Sequence, residues 1–87
     1  MNEDSLTDTH KKLQWQCRRG MLELDVILQP FLQQYFDRLN TGDQNAFIRL
    51  LAEADPDLYT WIMGFGKCND SSLNEIIAII RNKMSIA

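Results

Sequence analysis

The sequence predicts an all-α protein, folded as a compact single-domain bundle of about five short helices. Apolar residues recur at helical spacing through nearly the whole chain, and no segment shows the strict alternation of a half-buried strand. Short polar segments separate these periodic stretches. The 87 residues, of which 45% are hydrophobic, suffice for one thin core, because a domain of this size buries roughly 60 to 65% of its unfolded surface. We therefore expect one domain over residues 1–87, with residues 1–6 and 85–87 flexible.

The first two helices are predicted to meet at Gly20. A helix over about residues 7–19 has an apolar stripe that consists of Leu6, His10, Leu13 and Cys17. Gly20 suits the left-handed conformation that follows many helices, and Arg18 and Arg19 suit the negative end of the helix dipole. The second helix spans about residues 21–39 and contains Pro30, which we expect to kink or divide it.

Three capping signals open the remaining helices. The predicted caps are Thr41 with Gln44, Asp55 with Pro56, and Ser72 with Glu75. The expected buried residues are Phe47, Leu50, Leu51 and Ala54 on the third helix, Leu58, Trp61, Ile62 and Phe65 on the fourth, and Leu73, Ile76, Ile77, Ile80 and Met84 on the fifth.

The chain is too small to enclose a catalytic pocket of its own. Ligand pockets usually measure about 300 to 1,000 Å³ and need many convergent side chains. No nucleophile with an adjacent base can be assembled from the sequence, and it contains no glycine-rich phosphate loop. Cys17, Cys68 and His10 fit no zinc-binding spacing, and we expect both cysteines to be packed, reduced thiols. The sequence therefore predicts no catalytic residue, no metal site and no stably bound cofactor.

The charge balance argues against a nucleic-acid partner, and the hydropathy argues against insertion into a membrane. Nine Lys and Arg against twelve Asp and Glu give a net charge of -3, whereas dedicated nucleic-acid binders are strongly basic. The acidic N-terminus resembles neither a secretory signal nor a transit peptide. The longest uncharged stretch, residues 26–36, is too short to cross a bilayer.

Trp15 has an unusual place on the first predicted helix. A rotation of about 100° per residue puts it about 160 to 180° away from the apolar stripe. Four cations flank it on two sides: Lys11, Lys12, Arg18 and Arg19. Trp15 is either a core residue covered by another helix, with the cations snorkelling to water, or part of a recognition face.

The segment Arg19-Gly20-x-x-Glu23 also permits two interpretations. A helix end followed by a helix start explains it without any function. In the functional interpretation Gly20 lets another backbone approach closely, and Glu23 orients Arg19 or pairs with a cation of a partner. Asp55 and Asp57 are likewise read first as charges at a helix start, with partner contact as the alternative.

Two blocks of the sequence carry a family signature. Residues 15–25 read Trp-Gln-Cys-Arg-Arg-Gly-Met-Leu-Glu-Leu-Asp and contain the motif Arg-Gly-x-x-Glu at Arg19, Gly20 and Glu23. Residues 47–51 and 55–62 form the second block. Together they resemble the succinate dehydrogenase flavinylation factors, the SdhE/YgfY-like assembly-factor family, over about residues 13–66.

The resemblance implies a five-helix assembly factor that is not itself an enzyme. It implies binding to the flavoprotein subunit of succinate dehydrogenase, and in bacteria also to that of fumarate reductase, with FAD becoming covalently attached to that subunit. Because mitochondrial members carry a transit peptide and this sequence has none, a bacterial cytoplasmic protein is expected, monomeric when free. The implied partner-binding residues are Arg19, Gly20, Glu23, Arg18, Trp15, Asp25 and Met21, with Lys12, Asp55 and Asp57 as secondary candidates.

The expected mechanism assigns a role to each residue of the motif. Arg19 offers its donors to carboxylates or carbonyls of the partner, Gly20 allows close contact, and Glu23 positions the arginine. Two alternatives remain open. One is a carrier that binds FAD itself, and the other is a regulatory protein-interaction or nucleic-acid-binding module that uses Trp15 and its neighbouring cations.

Overall fold

Apolar residues at helical spacing bury one face of each helix in a shared core. The computed structural model describes residues 11–86, and this part of the chain is helical and contains no strand, so the all-α prediction is confirmed. Helix α1 covers residues 11–17 of the described part. The later elements are α2 (Leu22–Tyr35), a 3₁₀ turn (Phe36–Arg38), α3 (Thr41–Leu50), α4 (Asp55–Met63) and α5 (Ser71–Lys83).

Helix α1 ends earlier than the charge pattern predicts. Its last helical residue is Cys17, so Arg18 and Arg19 lie beyond the helix rather than in its last turn. Leu13 and Cys17 are buried, as predicted, while the other two residues of the stripe, Leu6 and His10, lie outside the described residues.

Helix α2 continues through Pro30, so of the two expected effects, a kink or a division, the division does not occur. Proline removes one backbone donor, whose acceptor four residues earlier would be the carbonyl of Val26. Val26 lies on the exposed side of the helix, where water can solvate that carbonyl. The helix gives way at Tyr35 to the 3₁₀ turn, four residues before the predicted end at Leu39.

The caps of α3 and α5 are one or two residues before the predicted ones. Asn40 caps α3, because its Oδ1 accepts a hydrogen bond from the Asp43 N–H at 2.8 Å, and Thr41 is already helical. Asp70 caps α5 by accepting from the N–H groups of Ser72 and Leu73. Both caps are Asx residues with extended backbone, which is the conformation that a capping side chain requires.

The start of α4 also differs from the prediction. Ala54 is the N-cap and makes no side-chain capping bond, so Asp55 is the first helical residue and Pro56 the second. The carboxylate of Asp55 is bound to Arg19 instead of to the start of its own helix.

The core contains most of the residues that periodicity predicts. Its buried members on α3 to α5 include Phe47, Leu50, Leu51, Leu58, Ile62, Leu73, Ile76, Ile77 and Ile80. Ala54 is exposed because it lies in the loop before α4. Phe65 is 73% exposed because α4 ends at Gly64, whose φ of 83° turns the chain away. Its ring lies beside that of Tyr59 in a tilted arrangement, with centroids 5.9 Å apart. Trp61 and Met84 are half-buried at the edge of the core.

The two ends predicted to be flexible differ in what can be described. Residues 1–6 and Ala87 lie outside the described part. Beyond α5, the Ile86 N–H donates to the Arg81 carbonyl at 2.8 Å, and the Ile86 side chain packs against the core.

Among the helices of residues 11–86, none is both long enough and apolar enough to cross a bilayer.

Candidate partner-binding site

The chain turns sharply between α1 and α2, in residues 18–21, which we call the corner. The Arg18 N–H closes the last turn on the Trp15 carbonyl at 3.1 Å. Gly20 then adopts a φ of 79°, a left-handed conformation that costs other residues free energy. Met21 is the extended N-cap of α2, makes no side-chain capping bond and packs against the core.

The guanidinium of Arg19 points into the molecule and binds the segment between α3 and α4. Its Nε donates to Asp55 Oδ1 at 2.6 Å, and its Nη2 donates to the Glu53 carbonyl at 2.7 Å. Its Nη1 donates to the Leu51 carbonyl at 2.7 Å and to the Gln16 carbonyl at 2.9 Å. Since a guanidinium has five N–H groups, one is left over. Arg19 is therefore committed to internal bonds, which differs from the expected mechanism in which it offers its donors to a partner.

Two aspartates, and not Glu23, orient Arg19. Asp55 holds the side chain, and Asp25 Oδ1 accepts from the Arg19 backbone N–H at 2.7 Å. Glu23 is exposed on the first turn of α2 and makes no hydrogen bond or ion pair with the described residues. The expectation that Glu23 positions Arg19 is wrong, because Glu23 faces water while the guanidinium faces the α3–α4 segment. The alternative, that Glu23 meets a partner, stays a prediction.

Trp15 is exposed, so the interpretation that it is a core residue covered by another helix is wrong, and its place in a recognition face stays a prediction. The side chain is 76% exposed, so it is not covered by another helix in the described residues. Arg18 and Lys12 are exposed as well, and Met21 is half-buried against the core.

Two further apolar residues join Trp15 at the surface. Leu22 is 72% exposed and Val26 is 56% exposed, and the spacing of four residues puts them on one face of α2. The sequence reasoning did not select them. The signal was available, because both fall outside the buried stripe of α2, which runs through Leu24, Ile27, Leu28, Phe31 and Leu32.

Of the two remaining candidate carboxylates, one is bound within the molecule and the other is exposed to water. Asp55 is occupied by Arg19, whereas Asp57 is exposed on the first turn of α4. The role of Asp55 and of the Leu51 and Glu53 carbonyls was missed by the sequence reasoning. These groups lie more than 30 residues from Arg19 along the chain, and no local spacing rule relates them to it.

The described cysteines offer no reactive thiolate or metal site near the corner. Cys17 is fully buried, and burial raises the pKa of its thiol to about 12, an effect that Arg19 opposes and Asp25 reinforces. Cys68 is half-buried beside α5, and both thiols are free. Residues 11–86 contain no group of three or more His, Cys, Asp and Glu side chains that could hold a metal ion.

Comparison with known proteins gives consistent matches over most of the chain. The model of the family described as "Flavinator of succinate dehydrogenase" matches residues 11–84. A protein named "FAD assembly factor SdhE" from Colwellia psychrerythraea is 43% identical over 86 residues, which cover 98% of this chain and 94% of the relative. Proteins of the same name from Photorhabdus laumondii and Vibrio cholerae are 45% and 46% identical over 76 and 66 residues, covering 87% and 76% of this chain and 86% and 77% of the relatives.

Proposed function

The chain belongs to the family of flavinators of succinate dehydrogenase, and on this premise we propose that it assembles a flavoprotein rather than acting as an enzyme. It binds the flavoprotein subunit of succinate dehydrogenase, called the client below, and promotes covalent attachment of FAD to it. The flavoprotein subunit of fumarate reductase is proposed as a second client. FAD is the client's cofactor, and the factor binds as a monomer without a catalytic site of its own.

One observation carries the assignment of the client surface to the corner. Of the five large hydrophobic side chains that are exposed in residues 11–86, three lie within residues 15–26: Trp15, Leu22 and Val26. Clustered exposed apolar side chains mark interaction surfaces, and tryptophan is among the residues enriched at their hot spots. The motif residues Gly20 and Glu23 lie in the same segment.

The charged residues of this surface provide specificity. Glu23 has no partner among the described residues, so it is available to pair with a cation of the client. Arg18 and Lys12 are exposed and suit client carboxylates, and Asp57 extends the set beyond the corner. Gly20 is exposed and carries no side chain, so the client backbone can approach the corner closely.

The factor acts by selecting a conformation of the client. The flavin and its host supply the chemistry of attachment, which requires the acceptor side chain to be held at near-attack distance. A factor that binds the competent arrangement more tightly raises its population, and a difference of about 1.4 kcal/mol in binding free energy changes the ratio tenfold.

We propose that the protein acts in the bacterial cytoplasm. The free thiols of Cys17 and Cys68 suit a reducing compartment, and the relatives compared above are bacterial proteins.

Deletion of the gene tests the function. Covalently bound flavin on the denatured client, measured by in-gel fluorescence, should fall in the deletion strain and return with the wild-type gene. Undiminished flavin in the deletion strain would refute the proposal. Titration of the isolated protein with FAD separates it from the carrier alternative, since a carrier binds FAD without the client.

A further inference from the structure

Arg19 links the corner to several other parts of the molecule. The backbone and the guanidinium of Arg19 together bind the end of α1 through Gln16, α2 through Asp25, and the start of α4 through Asp55. The carbonyls of Leu51 and Glu53 add the segment between α3 and α4. A single residue therefore connects four parts of the fold.

These bonds are largely shielded from water. The Arg19 side chain is 15% exposed and that of Asp55 is 29% exposed. Electrostatic interactions are stronger where the solvent is excluded, and the planar guanidinium can serve several acceptors at fixed angles, which a lysine ammonium cannot.

Apart from Arg19, no residue of the corner makes a side-chain hydrogen bond with residues 11–86. Gly20 contributes no side chain, and a Cβ added there would have no neighbour within 4 Å. Met21 caps α2 without a side-chain bond. The bonds of Arg19 therefore add polar contacts at the corner to the burial of Cys17 and Leu24 in the shared core.

We propose that Arg19 and Asp55 are positioning residues, which hold the corner so that Trp15 on α1 and Glu23 on α2 form one client-binding surface. This inference rests on the proposed function. In this role Arg19 and Asp55 do not contact the client. Residues 55–62 of the second sequence block then support the corner through Asp55.

The test measures the affinity of the full-length factor for the purified client. The variants are Arg19→Lys, Asp55→Asn and the double variant. Asp55→Asn preserves the size of the side chain and an oxygen that can accept from Nε, so the variant is expected to fold. Each single variant should weaken binding about tenfold, at a temperature where circular dichroism shows full helicity. The double variant should bind no worse than Arg19→Lys alone, because the bond that Asp55→Asn weakens is already lost with the guanidinium.

Two sets of controls accompany these variants. Arg49→Gln removes an ion pair outside the corner, Arg49 with Asp70, and should bind the client as the wild type does. Trp15→Ala and Glu23→Gln remove proposed contacts directly and should weaken binding. In the isolated factor, amide hydrogen exchange of residues 20–24 should accelerate in Asp55→Asn, while that of Ile76 in α5 stays slow.

The outcomes separate this inference from the proposed function. If Asp55→Asn binds like the wild type while Arg19→Lys binds weakly, Asp55 is not a positioning residue and the inference is overturned. Unfolding of Asp55→Asn overturns it too, since the pair would then support the whole fold and not the corner. If Trp15→Ala and Glu23→Gln bind normally, the proposed surface itself fails, whatever the Asp55 variant does.

Discussion

The Nε atom of Arg19 lies 2.6 Å from Oδ1 of Asp55, across 36 residues of sequence. A second ion pair, Arg49 with Asp70, has the same N···O distance, but its side chains are 55% and 38% exposed. Those of Arg19 and Asp55 are 15% and 29% exposed. Equal distances therefore do not imply equal contributions, because exposed pairs are screened by water and shielded pairs are not.

This difference predicts unequal effects on stability. Asp55→Asn should lower the free energy of unfolding by about 1 to 2 kcal/mol and the Tm by roughly 5 to 15 °C, because it weakens a charge-assisted hydrogen bond in a shielded site. Arg49→Gln should change the Tm little. Thermal melts followed by circular dichroism measure both variants, and equal losses of Tm would contradict the distinction between the two pairs.

Substitutions at Gly20 distinguish the cost of backbone strain from the space that the client needs to approach the corner. Gly20→Ala should lower the stability by about 1 kcal/mol through its positive φ alone, since a Cβ there meets no atom. Asn tolerates this conformation better than Ala, so Gly20→Asn should melt closer to the wild type. Gly20→Arg should retain its helix content and lose client binding.

If close approach of the client matters, both Gly20→Asn and Gly20→Ala should bind the client more weakly than the wild type. Gly42→Ala, in the first turn of α3, is the matched control and should bind normally. A Gly20→Arg variant that still co-purifies with the client would show that binding does not need close approach of the client at Gly20.

The exposed apolar residues of the corner should matter for binding and not for stability. Leu22→Ser should weaken client binding at least tenfold, because hot-spot side chains contribute about 2 kcal/mol or more, while its Tm stays near that of the wild type. Phe65→Ser is the matched control, since Phe65 is 73% exposed and Leu22 72%, but Phe65 lies in the loop after α4. Equal loss of binding in both variants would argue against a surface centred on the corner.

The two thiols should react at very different rates. Burial raises the pKa of Cys17 to about 12, so almost no thiolate forms at neutral pH and reagents cannot reach it. A thiol-specific disulfide reagent should modify one cysteine of the native protein, Cys68, and two after denaturation. Cys68→Ser should show no fast reaction, and modification of native Cys17 at the rate of Cys68 would contradict its burial.

Protonation of Asp70 should account for part of the loss of folding stability in acid. The hydrogen bond from Arg49, followed by that from the Leu73 N–H, lowers the pKa of Asp70 below its ordinary value of 3.8. Because the folded protein favours the charged form, this contribution is present above about pH 4 and is lost as the pH falls through the folded pKa. Asp70→Asn keeps a capping oxygen but cannot titrate, so its Tm should fall less steeply than that of the wild type below pH 4. If the Tm of Asp70→Asn and that of the wild type fall in parallel below pH 4, Asp70 does not contribute to the acid sensitivity.

The helices could be predicted from the sequence because their signals are local. Periodicity selected buried residues such as Phe47 and Ile76 correctly, but it placed the caps at Thr41 and Ser72 instead of Asn40 and Asp70. Several adjacent polar residues could cap each helix, and only the backbone conformation decides among them.

The sequence predicted which residues belong to the candidate site, but not how their side chains are arranged. The helical wheel put Trp15 opposite the core stripe, yet whether another helix covers that face depends on tertiary packing. The bond from Arg19 to Asp55 joins two distant segments, and no spacing rule relates them. The family motif identified the right segment, while the direction in which Arg19 points required the structure.

The most direct measurement of the central claim is reconstitution with purified components. The apo form of the flavoprotein subunit is incubated with FAD, with and without the factor, and covalent flavin is quantified by fluorescence after denaturation. The wild-type factor should increase covalent flavin, and Trp15→Ala and Glu23→Gln should fail to do so at equal concentration. Equal flavin attachment with and without the wild-type factor would contradict the account.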